Sequence, residues 1–164
     1  MSRFLFLLIP LILAASLSAA HAQEASVAFG TIRQDTKLPV EVTADDLKVD
    51  QSTGTAVFSG NVVIGQGEMR LSATRVLVIY RADQDGIARL EATGGVTLVS
   101  GPDAAEAQRA DYNIDDGTIV MSGNVLLAQG KSALSADKMT VRLSDGTAEM
   151  SGRVRTVLQT GGAN

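Results

Sequence analysis

Apolar and polar residues alternate with period two along most of this chain, and the alternation comes in repeated blocks. The stretch V-F-S-G-N-V-V-I-G-Q-G, from Val57 to Gly67, returns 63 residues later as V-M-S-G-N-V-L-L-A-Q-G, from Val120 to Gly130. Two looser copies are L-E-A-T-G-G-V-T-L from Leu90 and E-M-S-G-R-V-R-T-V-L from Glu149. Their inner glycines, Gly60, Gly94, Gly123 and Gly152, are spaced 34, 29 and 29 residues apart. A period near thirty residues marks a repeat architecture. Within each copy the alternation predicts a half-buried strand. The inward phase holds Phe58, Val62 and Ile64; Leu90, Val96 and Leu98; Met121, Val125 and Leu127; and Met150, Val154 and Thr156. The outward phase holds Ser59, Asn61, Thr93, Thr97, Ser122, Asn124 and Ser151. The four glycines fall in the inward phase, where a missing side chain marks a bend or a close backbone approach.

A second element precedes each glycine strand. It reads Val42-x-Ala44-x-x-Leu47-x-Val49, then Leu71-x-Ala73-x-x-Val76-x-Val78-x-Tyr80. It recurs as Ala105-x-Ala107-x-x-Ala110-x-Tyr112 and as Leu134-x-Ala136-x-x-Met139-x-Val141-x-Leu143. A step of three inside a period-two pattern flips the buried face once, which predicts a bulge or corner where a strand passes between sheets. Ser52-Thr53-Gly54, Gln84-Asp85-Gly86, Asp116-Gly117 and Asp145-Gly146 separate the elements, and such glycine-ended turns favour tight hairpins. Short links make neighbouring strands antiparallel. The expected body is all-β: about eight long bent strands, or up to sixteen if corners split them, in two curled antiparallel sheets facing each other over an aliphatic interior. Only residues 104–109 would support a turn of helix. The interior aromatics are Phe29, Phe58, Tyr80 and Tyr112. Alternation does not decide whether the two walls close on each other or leave a groove.

Residues 1–22 stand apart from this pattern. Arg3, the apolar run from Phe4 to Leu17 and Ala20-His21-Ala22 read as a cleavable export signal, with the cut after Ala22. Residues 23–37 are mixed and polar and are expected to form a flexible lead-in. The domain is then expected over residues 38–158, opening at an edge strand around Pro39, with a short tail at 159–164.

Composition removes several chemistries. The predicted mature chain loses Arg3 and the single histidine, leaving thirteen basic against eighteen acidic residues, a formal charge of −5. That balance argues against a nucleic-acid partner. Without histidine or cysteine there is no serine–histidine triad, no thiolate nucleophile and no usual zinc site. No phosphate-binding G-x-x-x-x-G-K-[ST] loop occurs. Asp83-Gln84-Asp85-Gly86 lacks the later ligands of a calcium loop and reads as a hairpin turn. Asp45-Asp46 and Asp115-Asp116 are neighbours in sequence, which in strands sends them to opposite faces. The reading is a non-enzyme without cofactor or metal.

Pro39-Val40-Glu41-Val42-x-Ala44-Asp45, the A-V-F-S-G-N-V-x-[IV]-x-Q-G strand and L-x-A-x-x-[AV] together resemble the LptA/OstA-like family. The likeness runs from about Leu38 to Leu158. It implies a twisted, incomplete β-jellyroll, open at both ends. It implies lipopolysaccharide as ligand, its lipid A acyl chains held between the sheets by the inward residues listed above other than Thr156, together with Val78, Tyr80, Met139, Val141 and Leu143. It further implies periplasmic location and head-to-tail stacking through edges at Val40 and Val42 and at Thr156, Val157 and Leu158. The implied partners are a bitopic inner-membrane component (LptC-like) and the periplasmic domain of the outer-membrane translocon (LptD-like). The competing reading from another class is an exported β-repeat scaffold with a closed core and no lipid.

Overall fold

The computed structural model describes residues 25–30, 37–83 and 85–157. The expected signal segment, its cleavage point, Leu158 and the tail lie outside the described residues. The fold is all-β. Six long strands carry most of it: β4 (Thr55–Gln66), β5 (Met69–Tyr80), β6 (Ile87–Ser100), β7 (Asp103–Asn113), β8 (Thr118–Gln129) and β9 (Ser132–Arg142). Shorter pieces flank them: β1 (Ala25–Ala28), β2 (Glu41–Thr43), β3 (Asp46–Asp50), β10 (Thr147–Ser151) and β11 (Arg155–Val157). The predicted eight bent strands are thus present, six unbroken and two split at the corner into β2/β3 and β10/β11. Residues 104–109, the one candidate for a helical turn, are part of β7.

Where two sheets were expected, one continuous antiparallel sheet supplies both walls. Its order is β1-β10-β9-β8-β7-β6-β5-β4-β2, with β3 also on β4 and β11 also on β9. From β4 to β10 the connectivity is a meander, as the short glycine turns require. The end strands do not pair with one another, so the sheet stays open. Every long strand bends at the same level. Gly60 and Asn61 (φ 75° and 46°), Gly94 and Gly95 (86° and 82°), Gly123 and Asn124 (84° and 50°), and Gly152 and Arg153 (77° and 46°) are consecutive left-handed pairs. Thr74 opposes the first two pairs, Gln108 the second, and Asp137 the third and fourth, so each pair is a bulge of one extra residue.

These corners divide the sheet into two layers. Layer A holds β2, residues 62–66, 69–73, 96–100, 103–107, 125–129 and 132–136, and β11. Layer B holds β3, residues 55–59, 75–80, 87–93, 109–113, 118–122 and 138–142, β10 and β1. No helix covers either face among the described residues, yet one face carries a single cluster of core side chains. Only the sheet folding over on its own corners can bury that face. The step of three therefore does not flip the buried face. The extra residue in the glycine strand and the short step beside it keep one face inward on both sides of the bend.

The corner glycines sit differently from expectation. A Cβ on Gly60 would lie 2.5 Å from Asp45 Oδ2, on Gly94 2.7 Å from Thr74 Cβ, on Gly123 2.6 Å from Gln108 Oε1 and on Gly152 2.7 Å from Asp137 Oδ2. Asp45, Thr74 and Gln108 are exposed, so the glycines face outward beneath a neighbouring strand's corner side chain. The positive φ turns them out of the inward phase that simple alternation assigned. Asn61 completes its corner by donating to Asp45 at 2.8 Å, and Arg153 pairs with Asp137 at 2.5 Å. The Arg153 guanidinium, chiefly by hydrogen bonding, holds the Asp137 carboxyl below its ordinary range.

The lead-in also departs from expectation. Within residues 23–37, Ala25–Ala28 form β1 and pair with β10, Ala25 opposite Met150 and Val27 opposite Ala148. Four residues are too few to show a period, and the β10 edge supplies the ladder that fixes them.

Candidate functional site

The interior between the layers is the one place where the predicted residues converge. Backbone register sets them in rows, because directly opposed residues share a face. In layer B, Phe58, Val76, Ala92, Ala110, Met121, Met139 and Met150 stand side by side from β4 to β10. In layer A the corresponding row is Val42, Ile64, Leu71, Leu98, Ala105, Leu127, Leu134 and Thr156. Val62, Val78, Leu90, Val96, Val125, Val141 and Leu143 are buried in the same cluster, and Tyr80 and Val154 pack against its margin. Apart from the corner glycines, the residues that alternation assigned inward face this interior, with Thr156 exposed at its β11 end.

The lining is closed. Ile64, Val78, Leu98, Met121, Leu127, Met139 and Met150 are each 0–1% exposed. A gap wide enough for a hydrocarbon chain would leave its walls within reach of water, so the layers are in direct contact. The β2/β3 end differs. Leu47 opposes Phe58 and Val49 opposes Ala56, which turns both inward, yet they are 56% and 58% exposed. Here the apolar lining runs out to the surface without a cover.

Polar groups border the lining along the free end of layer A. Gln66, Ser100 and Asp103 are buried and Gln129 half-buried, at the outermost inward positions of β4, β6, β7 and β8. Tyr112 of layer B donates its phenol to Gln66 Oε1 of layer A, and Gln66 Nε2 donates to the Leu38 carbonyl at 2.9 Å. Burial pushes the Tyr112 phenol up to about 12. Asp103 accepts from Gln129 Nε2 at 2.9 Å and from the Gly30 amide at 2.8 Å. This polar border escaped the pattern reading, although one signal was available. Gln66 and Gln129 end the doubled motif in the same inward phase as Val62, Ile64, Val125 and Leu127.

At the ends, Val40 and Val42 are half-buried beside the β2 edge, while Thr156 and Val157 on β11 are exposed. Beyond them lies the one edge residue outside the described range, Leu158. The edge of layer B next to β11 is β1, not β10. Acidic pairs do not converge: Asp45 lies at a corner, and Asp115 is taken up by Arg81 in an exposed ion pair. Among the described residues no cluster of three metal-ligating side chains occurs.

Residues 41–157 match the family described as LptA/(LptD N-terminal domain) LPS transport protein. The chain belongs to this family. Curated relatives match part of the chain. The Escherichia coli K12 lipopolysaccharide export system protein LptA is 30% identical over 76 residues, 46% of this chain and 38% of that protein. An uncharacterized Rhizobium meliloti protein, R00383, is 30% identical over 111 residues, 63% of this chain and 60% of the relative. The chain thus spans less than two thirds of the length of either relative. Among solved structures, that of LptH, the LptA-homologous periplasmic component of the lipopolysaccharide transport device of Pseudomonas aeruginosa, superposes with a TM-score of 0.68. The likeness covers 77% of this chain and 99% of that one at 18% identity, which fixes the fold. This member of the family thus has an aliphatic interior, a polar border along one seam and an uncovered apolar mouth at the β2/β3 end.

Proposed function

We propose that this chain is a periplasmic lipopolysaccharide carrier whose folded-over interior shelters acyl chains. The observation that carries the reading is the unbroken apolar lining from Leu47 and Val49 at the mouth to Met150 in layer B. Each methylene withdrawn from water is worth about 0.8 kcal/mol, so ten would contribute roughly 8 kcal/mol towards separating the layers. The polar border suits a molecule with apolar tails and a polar head. Open edges at β2/β3 and β11 suit head-to-tail stacking of copies into a bridge between an LptC-like inner-membrane component and an LptD-like outer-membrane one. The chain has no nucleotide-binding loop, so a partner drives directed movement. It is the track.

The closed interior favours a second reading, a β-scaffold without lipid. Photo-crosslinkers in cells separate the two. Placed at Phe58, Val62, Val125, Leu127, Val141 and Val154, they capture lipopolysaccharide; placed at Ser59, Asn61, Ser122 and Asn124, they do not. Equal labelling of both sets, or no lipid at the inner set, defeats the carrier reading. Native mass spectrometry of protein from its own host gives an independent check through co-purified lipopolysaccharide.

A further inference from the structure

The two layers are joined along the corners by continuous backbone, and each is tied by its own ladder. They can therefore part without breaking strand pairing only at their free ends, opposite the corners. Besides the shared core, two hydrogen-bonded features join those ends. One is the hydrogen bond between Tyr112 and Gln66. The other is Ala28-Phe29-Gly30. Its layer B anchor is the Phe29 amide, which donates to the Gly146 carbonyl at 2.8 Å in the β9–β10 turn. Its layer A anchors are the Gly30 amide on Asp103 at 2.8 Å and Gln129 Nε2 on the Ala28 carbonyl at 2.5 Å. Between the anchors Phe29 is 2% exposed and belongs to the core cluster.

This tripeptide is attached differently from the rest of the lining. It starts on the last residue of a four-residue strand at the sheet edge, paired on one side only, whereas the other lining comes chiefly from strands of 11–14 residues. Short edge elements open at the low end of a protein's local stabilities. Its layer A anchors converge on a carboxylate and an amide side chain, groups that water can satisfy when the segment leaves. We propose that Ala28–Gly30 is a latch on the seam, and that its release with the Tyr112–Gln66 contact lets the layers part along their free ends. What passes through the opened seam rests on the carrier reading; the opening itself does not.

The natural chain has no cysteine, so a single thiol reports opening without cargo. In Met121→Cys, the reporter sits at a position that is 0% exposed. Adding Gln129→Ala, or Phe29→Ala if that variant folds, speeds its reaction with a maleimide at least tenfold. The control is Met121→Cys with Val125→Ala, a core change remote from the latch, compared at matched urea midpoints. Equal rates in latch and control variants overturn the proposal. The cargo arm uses Gly30→Cys with Ser100→Cys. A Cβ on Gly30 would lie 3.2 Å from Ser100 Cβ, about 0.6 Å inside the usual disulfide span of about 3.8 Å, and Gly30 has φ 77°, so a small shift of the mobile edge lets oxidation bridge the seam. Oxidised protein loses binding of dansyl-dodecanoic acid at least tenfold and recovers it on reduction. Equal binding in both redox states overturns the latch as the entry point. If no form binds the probe, the carrier reading fails, and the labelling rates still decide the latch.

Discussion

Tyr112 reaches across the interior from β7 to Gln66 at the end of β4, joining the free ends of the two layers by a buried hydrogen bond. Burial raises the phenol from an ordinary 10 to about 12. An unfolded chain therefore releases this proton first as pH rises. The contribution of the neutral phenol is complete below pH 10 and is lost as pH climbs through the window from 10 to about 12. Tyr112→Phe removes that titration and leaves Gln66 Oε1 without this donor, which costs about 1–3 kcal/mol at neutral pH. Its urea midpoint then falls less between pH 9.5 and 11.5 than that of the parent. Parallel slopes for the two proteins over that window, where only about this residue's titration differs, contradict the assignment.

The corner glycines allow conformation and crowding to be separated. Gly54 has φ 62° with nothing within 4 Å of a built Cβ, whereas Gly60 and Gly123 have φ 75° and 84° with contacts at 2.5 and 2.6 Å. Gly54→Ala meets only the left-handed penalty, about 1–2 kcal/mol. Gly60→Ala and Gly123→Ala add the crowding of Asp45 or Gln108 and exceed it by at least about 1 kcal/mol in urea unfolding. Equal losses at all three sites show that the corner side chains simply move aside. Asn61→Ala puts a β-carbon residue with no stabilising amide at φ 46°, so about 1 kcal/mol is expected where a solvated asparagine would cost less than about 0.5 kcal/mol.

Assembly through β11 requires its free side. Thr156 opposes Leu134 and Val157 opposes Ala133, so β9 occupies one side and the other is unpaired among the described residues. Proline at one of the two positions deletes an outward N–H while sparing the β9 ladder. Thr156→Pro and Val157→Pro, measured separately by sizing with light scattering, are expected to differ. One shortens the concentration-dependent ladder of oligomers while circular dichroism stays native. Unchanged polymerisation in both, or a parent that is monomeric at high concentration, removes edge addition as the mode of assembly.

Much of this fold is legible in the chain itself. Period-two alternation placed Ile64, Leu98, Leu127, Met139 and Met150 inward, and their burial follows that phase. The step of three at Ala73–Val76, Ala107–Ala110 and Ala136–Met139 marked the bends, because a strand can keep one face buried past a bulge only by breaking phase. These are local relations between residues close in sequence, and side-chain direction in a strand is local.

The remainder depended on what meets across space. That Gly60 faces Asp45, outside the core, follows from a positive φ that alternation does not encode. Ala25–Ala28 are a strand because β10 leaves an unpaired edge beside them, not because four residues declare a period. Whether the layers touch is set by the volumes of Tyr112, Phe29 and the opposed methionines and leucines packed together. No single strand carries that sum. The sequence by itself determined which side chains point inward; only the tertiary structure decided that they close on one another and that Ala28–Gly30 crosses the seam, since packing and long-range pairing are fixed by contacts between distant segments.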